Sequence, residues 1–323
     1  MRLIEAPTAA DVCVAVVNYN TRELLARCLE TVRSEGAANV VVVDNASKDG
    51  SAPYVRDRFP DVHVIDNKVN VGYGAAANQA MRHASRPFVL LLNADTEVQP
   101  GCVAALAMHA GRAPRAGIVA PAIVTTSGAR ESSYFPFPGT LDWLLENEPL
   151  APLVRRLPPL KRRSVSFQPA DRPRQVPWVM GCAMLLRREA VESMGGFDES
   201  YFMYYEEVDL CRRMADAGWE VHFTPEARVT HVGGASTSQY RTEMLIRHFQ
   251  STLQYYSRHY SGLRLGFWLT AMHVKRMALL ARDSARLLKE SDPVERRILE
   301  DQRKAWLATA IRTPRNGRHV AHQ

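Results

Sequence analysis

The sequence predicts an α/β protein with a mainly parallel central sheet flanked by helices and with a helical C-terminal extension. Within the first 120 residues, short apolar runs alternate with amphipathic helical patterns. This order is typical of parallel strands that helices cover on both faces. Beyond Gln239 the pattern becomes strongly helical. The chain has 323 residues, which is enough for one large domain with additions or for two domains.

Five strands are predicted in the N-terminal part, because each is an apolar run followed by a change in pattern. They cover Val12–Val17, Val40–Val43, Val62–Ile65, Phe88–Leu92 and Gly117–Ala120. A helical pattern from Thr21 to Arg33 joins the first two strands. From about 127 to 177, Pro, Ser and basic residues replace the periodicity, which indicates a long functional loop or an insertion.

Regular patterns return after this segment. A strand that carries a glycine is predicted over Trp178–Leu186, a short helix over Arg187–Met194 and a second helix over Val208–Ala217. Glycines follow both helices, as is common at helix C-termini. We expect one domain over residues 1–238, with halves at about 10–125 and 176–238 and the insertion between them, followed by a helical extension over 239–323.

The composition limits the choice of partners. The chain is 46% hydrophobic and 23% charged, with a formal net charge of +7, which is ordinary for a globular protein with a basic bias. The basic residues concentrate between Ala151 and Arg174 and again after Arg241. Such patches suit nucleic acid, an anionic membrane surface or phosphorylated substrates. Because no nucleic-acid reader motif accompanies them, we expect no nucleic-acid partner.

The cysteines and the N-terminus predict a cytoplasmic protein. The five cysteines are scattered and form no C-x-x-C pair, which argues against a disulfide framework and a structural zinc site. The N-terminus shows no apolar signal region. No apolar run approaches the ~18–20 residues that a membrane-spanning helix needs. We expect the cytoplasm, with the inner face of the cell membrane as the alternative location.

Polar residues follow three of the predicted strands. They are Asn18 and Asn20, Asp44 and Asn45, and Asn93 and Asp95. Ligands of parallel sheets bind at the carboxyl ends of the strands. Residues at i and i+2 of a strand point to the same side, so Asn93 and Asp95 could hold a divalent metal against a pyrophosphate. A turn with a helix cap is the structural alternative.

A glycine-containing segment, Asn70 to Asn78, joins the third strand to a helix of small residues. Gly72 and Gly74 allow a ligand to approach the backbone closely, and they allow positive φ. The structural alternative is a loop that leads into a tightly packed helix.

The segment from Gly195 to Arg213 is rich in aromatic and acidic residues. Glu206 and Glu207 lie near a predicted helix start, where the helix dipole favours acids. Asp209 and Arg213 are spaced i,i+4 and should pair on the helix surface. Aromatic residues directly precede these two acids in the sequence. One of the acids could therefore act as a general base that takes a proton from a sugar hydroxyl. His231 precedes Gly233-Gly234, which suggests closure of a loop over a metal or a phosphate.

Together and in this order, the motifs resemble glycosyltransferase family 2 of the GT-A type, and especially the bacterial rhamnosyltransferases of cell-surface polysaccharide synthesis. The resemblance extends from about Val12 to Ser236. Its six motifs are Val17–Asn20, Val43–Gly50, Asn70–Gly74, Asn93–Asp95, Gly195–Asp198 continuing through Glu206–Cys211, and His231–Gly234.

The resemblance implies a role for each motif residue. It places the nucleotide-sugar donor against Asn18, Asn20, Asp44, Asn45, Asn70, Gly72, Tyr73, Asn93 and Asp95. It implies Mg²⁺ or Mn²⁺ on Asp95 and His231. The family's Asp-x-Asp motif falls on Asn93 and Asp95, so its first aspartate is replaced. Trp178, Gly181 and Tyr205 would lie on the acceptor side.

The resemblance also implies the reaction. The family's base is usually the aspartate of a Glu-Asp pair, and this chain has Glu207 there, with Glu206 as the alternative base. The implied reaction is a single displacement that inverts the anomeric centre and moves a sugar to a hydroxyl of a saccharide or of a polyprenyl-linked saccharide. The best match for the donor is dTDP-L-rhamnose, and a UDP- or GDP-sugar is the alternative donor. Two alternative functions are a sugar-nucleotide nucleotidyltransferase and an inactive binding homologue.

The basic C-terminal extension lies outside the resemblance. Leu265, Trp268, Leu269 and Met272 repeat at helical spacing, and Lys275 and Arg276 follow them. This pattern predicts one of two arrangements. The helix either packs against the catalytic domain or a partner in a homodimer, or it lies on anionic lipid. The sequence leaves these readings open.

Overall fold

The computed structural model of the protein describes residues 6–37, 39–142, 156, 157, 159, 170–233 and 241–309. The chain forms two compact units. The first comprises Met1–Phe202 and Glu206–Ser236, and the second comprises Met203–Tyr205 and Thr237–Gln323.

The first unit is built on a ten-stranded sheet and a separate two-stranded sheet. Its strands are β1 (Val12–Asn18), β2 (Asn39–Asp44), β3 (His63–Asp66), β4 (Phe88–Asn93), β5 (Thr96–Val98), β6 (Ala116–Val124), β7 (Arg130–Glu131), β8 (Tyr134–Phe135), β9 (Arg174–Gln175), β10 (Trp178–Val179), β11 (Ala183–Arg187) and β12 (Glu220–His231). Its α-helices are α1 (Arg22–Arg33), α2 (Ser51–Arg58), α3 (Tyr73–His83), α4 (Cys102–Arg112), α5 (Arg188–Ser193) and α6 (Glu206–Asp216).

The main path through the large sheet runs β3-β2-β1-β4-β11-β6-β12-β5. The four strands β3, β2, β1 and β4 are parallel to one another, and β6 is parallel to β12. Strand β11 is antiparallel to both β4 and β6. The predicted α/β class with a sheet flanked by helices is confirmed, and the carboxyl ends of β1, β2 and β4 lie side by side.

The core explains why the strand predictions succeed. All seven residues of β1 and all nine of β6 are buried, as expected of strands that are covered on both faces. Helix α1 buries Leu25, Leu29 and Val32 at helical spacing against this sheet. Continuous apolar runs therefore mark the central strands, and helical periodicity marks the covering layer.

The predicted single strand over Trp178–Leu186 is wrong, because two strands occupy it. Strand β10 pairs with β8 in the small sheet, whereas β11 joins the large sheet. Residues 180–182 connect them, with Gly181 at the centre. A Cβ on Gly181 would lie 3.4 Å from Cγ of Glu207. The glycine thus leaves room for a neighbouring carboxylate at the break between the strands.

The segment over 127–177 contains the short strands β7, β8 and β9 near its ends. They add to the sheets that the rest of the domain forms, since β7 pairs with β6 and β9 pairs with β12. The basic residues Arg155, Lys161, Arg162 and Arg163 of this predicted insertion lie outside the described residues.

The second unit packs three helices together: α7 (Arg241–His259), α8 (Gly262–Leu287) and α9 (Pro293–Ala308). Tyr256 stacks on Trp268 with ring centroids 5.5 Å apart and planes 9° apart. Trp268 is buried, so the apolar spacing that begins at Leu265 marks a helix-packing face. The buried Trp268 favours the packing interpretation for this face, and a contact of this helix with lipid stays a prediction. Among the described helices, none is long and apolar enough to cross a membrane.

Candidate active site

The end of β1 and the end of β2 are joined by hydrogen bonds between side chains. Nδ2 of Asn18 donates to Oδ1 of Asp44 at 2.7 Å and to Oγ of Ser47 at 3.1 Å. The backbone N–H of Ser47 donates to Oδ2 of Asp44 at 2.9 Å. Parallel pairing places Asn18 opposite Asp44. Both are buried, so this network fixes the direction of the Asp44 carboxylate.

Asn20 extends this network at its outer edge. Its Oδ1 accepts from the backbone N–H of Lys48 at 2.7 Å, and its own N–H donates to Ser47 at 2.9 Å. Asn20 has a φ of +53°, a conformation that asparagine tolerates better than most residues. The sequence-predicted donor residues Asn18, Asn20 and Asp44 therefore form one connected group.

Asn45 holds the glycine-containing loop before α3. Its Nδ2 donates to Oδ1 of Asn70 at 2.8 Å and to the carbonyl oxygen of Gly72 at 3.2 Å. Its Oδ1 accepts from the N–H of Val71 at 3.0 Å. Both the amide nitrogen and the amide oxygen of the buried Asn45 side chain form hydrogen bonds with this loop. These bonds place the predicted residues Asn45, Asn70 and Gly72 together.

Gly72 is required because the chain passes very close to it. A Cβ at this position would lie 2.5 Å from the carbonyl oxygen of Phe202, and φ is +88°. That carbonyl accepts from the N–H of Tyr73 at 2.9 Å. The close approach is therefore made by the protein's own backbone.

Asn78 on α3 anchors the Gly195–Asp198 loop. Its Oδ1 accepts from the N–H of Phe197, and its Nδ2 donates to the carbonyl of the same residue, both at 2.9 Å. A Cβ on Gly196 would lie 2.6 Å from Oδ1 of Asn78. The sequence analysis did not identify Asn78. An asparagine inside a helix of alanines is nevertheless a signal, because buried backbone groups nearby need a hydrogen-bond partner.

Asp95 and His231 come together from two strands. Strand β5 pairs with β12 so that His231 lies opposite Thr96, and the N–H of Val232 donates to the carbonyl of Asp95 at 3.0 Å. Nε2 of His231 lies 3.4 Å from Oδ1 of Asp95. Both side chains are about nine-tenths buried, with 12% and 11% exposed.

Asn93 ends β4, two residues before Asp95. Its backbone N–H donates to the carbonyl of Cys182 at 3.0 Å. Its side-chain Oδ1 is buried and has no hydrogen-bond partner among the described residues. A buried acceptor without a donor costs free energy, so this oxygen is ready to accept from a bound ligand. Gly234, at the end of the histidine motif, lies outside the described residues.

Glu206 and Glu207 begin α6 and have different surroundings. Glu206 is 4% exposed, and its Oε2 has no hydrogen-bond partner within the described residues. Burial, and then the charge of Glu207, raise the pKa of Glu206 well above its usual value. Glu207 is only partly buried and lies against Gly181. Of the two acids, Glu206 is therefore the one whose neutral form is favoured by burial.

Tyr73 and Cys182 both lie within the electrostatic reach of Asp95 and Glu207. The hydroxyl of Tyr73 donates to the carbonyl of Gly181 at 3.1 Å. Burial raises the pKa of Tyr73, and the charges of Glu206, Glu207 and Asp95 add to this effect. Burial also raises the pKa of the Cys182 thiol, with contributions from Asp95 and Glu207. The predicted metal-binding acid and the predicted base thus act on the same two side chains.

The pair of Asp209 and Arg213 is present, but its predicted place on the helix surface is wrong. Nε of Arg213 donates to Oδ2 of Asp209 at 2.6 Å, and Asp209 is fully buried. The guanidinium also donates to the carbonyls of Met194 and Gly196. Because a buried carboxylate needs a partner, this pair fastens α6 to the Gly195–Asp198 loop.

The remaining predicted acceptor residues occupy different places. Trp178 stacks on Phe135 with centroids 4.9 Å apart, and its Nε1 donates to the carbonyl of Pro136 at 2.8 Å. Tyr205 belongs to the second unit and immediately precedes Glu206 in the chain. It has a φ of +69°, which is rare for a bulky side chain and indicates local strain.

A family model described as glycosyl transferase family 2 matches residues 13–195, more than half of the chain. The chain belongs to glycosyltransferase family 2. A second model, described as glycosyl transferase family group 2, matches residues 165–289. The predicted family and the predicted enzyme class, a glycosyltransferase, are confirmed.

Two relatives of this family 2 glycosyltransferase are rhamnosyltransferases. N-acetylglucosaminyl-diphospho-decaprenol L-rhamnosyltransferase of Mycobacterium tuberculosis is 33% identical over 263 residues, which cover 77% of this chain and 85% of the relative. Rhamnosyltransferase WbbL of Escherichia coli is 30% identical over 116 residues, which cover 32% of this chain and 44% of the relative. The resemblance to rhamnosyltransferases is therefore confirmed.

Solved structures share the fold of this family 2 glycosyltransferase. The mannosyltransferase PcManGT from Pyrobaculum calidifontis, solved with GDP-Man and Mn²⁺, covers 95% of this chain and 89% of its own, with a TM-score of 0.54 and 19% identity. GalNAc-T7, solved with UDP, GalNAc and Mn²⁺, covers 90% of this chain and 54% of its own, with a TM-score of 0.54 and 17% identity. At these identities the likeness concerns the fold.

Proposed function

We propose that this glycosyltransferase moves L-rhamnose from dTDP-L-rhamnose to a hydroxyl of a polyprenyl-diphosphate-linked saccharide, with inversion at the anomeric carbon. The observation that carries the chemistry is that Asp95, which contacts His231, and Glu207 both act on the same two side chains, Tyr73 and Cys182. The M. tuberculosis relative, matched over 77% of this chain, supports the choice of sugar and of a lipid-linked acceptor.

Asp44 recognises the nucleoside in this proposal. Its two oxygens each accept one internal hydrogen bond, from Asn18 and from the N–H of Ser47. A carboxylate has about four acceptor sites, so two remain for a base N–H or a ribose hydroxyl. Asn18 and Ser47 hold the carboxylate in one orientation, which reduces the entropy lost when the donor binds. Residues 10–125 would form the donor half of the domain.

Asp95 and His231 would hold Mg²⁺ or Mn²⁺. The residues fit such an ion, because a carboxylate oxygen and an imidazole nitrogen already converge at 3.4 Å. Within the described residues, no group of three or more Asp, Glu, His or Cys side chains could hold a metal ion alone, so donor phosphates would supply the remaining ligands. A bound ion would supply neutralisation of the charge that develops on the departing diphosphate. Asn93 would accept from the ribose or the donor sugar.

Glu207 is the base in this proposal. Burial and the neighbouring charge raise the pKa of Glu206, which favours its neutral form and makes Glu207 the better candidate for taking a proton from the acceptor. Glu207 is less buried and faces the space that Gly181 leaves open. It would accept the proton of the acceptor hydroxyl as that oxygen attacks the anomeric carbon. Residues 176–238 would form the acceptor half, with Trp178 beside the incoming saccharide.

The proposed acceptor determines where the reaction takes place. A polyprenyl chain keeps its saccharide at a bilayer surface, and a nucleotide-sugar donor is a cytoplasmic metabolite in this proposal. The enzyme would therefore act in the cytoplasm at the inner face of the cell membrane, as a peripheral protein.

Nucleotide-dependent thermal stabilisation tests the donor site. The enzyme is heated with dTDP, UDP, GDP or CMP, each with and without Mn²⁺, and dTMP serves as the matched control that lacks the second phosphate. A ligand at 100 times its dissociation constant stabilises the fold by about 2.7 kcal/mol. We expect the largest Mn²⁺-dependent rise in unfolding temperature with dTDP. A larger rise with UDP or GDP would contradict the rhamnose donor, and equal rises with dTMP and dTDP would contradict the diphosphate site.

A further inference from the structure

Helix α8 has two apolar faces, and the described residues cover only one of them. Trp268, Leu287 and the carboxylate of Asp283 are buried on the inner face. The opposite face is exposed and apolar, and we call it the outer face of α8. Its residues are Leu263, Phe267, Val274, Met277, Ala278, Ala281 and Ala285.

The outer face is a strip along the helix, in which Thr270 is the one polar position. Leu263 is 95% exposed, Phe267 59%, Val274 61% and Met277 46%. At 3.6 residues per turn, all seven residues lie within roughly 100° of the helix circumference. The strip is about 33 Å long at 1.5 Å per residue. Exposed apolar residues that occur singly need no explanation, but an ordered strip along a whole helix does.

Cationic side chains lie along one edge of this strip. By helical spacing, Arg264, Lys275, Arg282 and Arg286 lie about 40–80° from its border. The only acid within α8 is Asp283, and it is fully buried, where it accepts from Nε of Arg282 at 2.8 Å and from Nε1 of Trp306 at 3.0 Å. The exposed surface of α8 therefore combines apolar and cationic groups and presents no carboxylate.

We propose that the outer face of α8 lies on an anionic lipid bilayer, parallel to its surface. Apolar side chains would enter the boundary between head groups and acyl chains, and the cationic row would contact lipid phosphates. Charge complementarity selects this occupant, since the helix exposes cations and no acid. The inference deepens the proposed function, because a polyprenyl-linked acceptor lies in the same bilayer, but the contact itself does not depend on which sugar is transferred.

Vesicle co-sedimentation of the full-length protein tests this contact. The vesicles contain either phosphatidylcholine alone or phosphatidylcholine with about one third phosphatidylglycerol. The first variant, Val274→Ser/Met277→Ser, removes apolar area from the outer face. The second, Lys275→Gln/Arg286→Gln, removes two cations. Met108→Ser is the matched control, because Met108 is an exposed methionine on α4 of the first unit, 38% exposed.

We expect the wild type to bind the anionic vesicles and to bind less at high salt. The apolar variant should bind at least about tenfold more weakly, and the charge variant about fivefold more weakly for each cation removed. Met108→Ser should bind as the wild type does. Because the substituted side chains are exposed, unfolding temperatures should change little. If the apolar double variant unfolds, Leu263→Ser, at the most exposed position of the outer face, replaces it.

Three results would overturn the proposal. The first is absence of binding to anionic vesicles, and the second is equal binding by the wild type and the apolar variant. The third is a dimeric wild type that does not bind vesicles and an apolar variant that is monomeric in light scattering, which would assign the face to a second copy of the chain. The dTDP-dependent thermal shift is measured on the same samples. An intact shift without vesicle binding rejects only the lipid contact, and vesicle binding without a shift rejects only the donor site.

Discussion

Nε2 of His231 lies 3.4 Å from Oδ1 of Asp95, although the two residues are far apart in the sequence. The antiparallel pairing of β5 with β12 produces this proximity, because it sets His231 opposite Thr96. Both side chains are largely buried, so neither depends on a surface rotamer for its position. The sheet therefore positions both groups before any ligand binds.

Substitutions at this pair should abolish metal-dependent donor binding. In Asp95→Ala we expect the Mn²⁺-dependent part of the dTDP thermal shift to disappear, because the substitution removes the proposed oxygen ligand of the ion. In His231→Gln the apparent affinity for Mn²⁺ should fall at least about tenfold. His222→Gln is the matched control, since His222 lies on the same strand but pairs with Glu220 at 2.9 Å. An unchanged shift in Asp95→Ala would contradict the metal assignment.

The two adjacent glutamates should differ in their effect on turnover. Glu207→Gln removes the proposed base and should lower kcat by about 10²–10⁴-fold, the usual contribution of general base catalysis. Glu206→Gln resembles the protonated carboxyl group in shape and charge, so kcat should stay within a few fold of the wild type. Steady-state rhamnosyl transfer to a soluble acceptor analogue measures both. The reverse order of effects would make Glu206 the base.

Glu206 should also make folding stability depend on pH. Burial and the charge of Glu207 raise its pKa well above 4.5 in the folded state. Below pH 4.5 the group is protonated in both states, and its stabilising contribution is complete. As the pH rises above 4.5, the unfolded chain releases the proton first, and stability falls until the folded pKa is passed. Glu206→Gln lacks this loss.

Urea unfolding between pH 4 and pH 8 measures this effect. The midpoint of the wild type should fall with pH relative to that of Glu206→Gln. Parallel curves across the whole range would show that Glu206 ionises as readily in the folded state as in the unfolded chain.

The sequence predicts which strand-end residues lie close together, for a physical reason. Strands β1 and β4 are covered on both faces, so their apolar runs are continuous and end where polar residues begin. Asn18 and Asn93 mark these ends. Because parallel strands end at one edge of the sheet, a strand-end rule locates the donor residues without knowledge of the loops.

The sequence does not predict the acceptor side equally well. Strand β12 contains Pro225, and its register with β6 shifts between Thr224 and Arg228, because proline cannot donate to a neighbouring strand. The long strand that carries His231 is therefore hidden from a periodicity argument. The difference between Glu206 and Glu207 is also hidden, since consecutive helix residues differ by about 100° in direction and only packing decides which one is buried.

Gly72 offers a test of the loop that leads into the site. Gly72→Ala would place a Cβ 2.5 Å from the carbonyl oxygen of Phe202 at a φ of +88°, so it should lower the free energy of unfolding by about 3 kcal/mol or more. Gly101→Ala is the matched control, because Gly101 has a similar φ of +79° but nothing within 4 Å of its Cβ position; it should cost about 1–2 kcal/mol. Equal urea midpoints for the two variants would mean that Phe202 moves away without cost. A larger loss in Gly72→Ala, together with a weaker dTDP shift, would show that the same backbone contact supports both the fold and the donor loop held by Asn45.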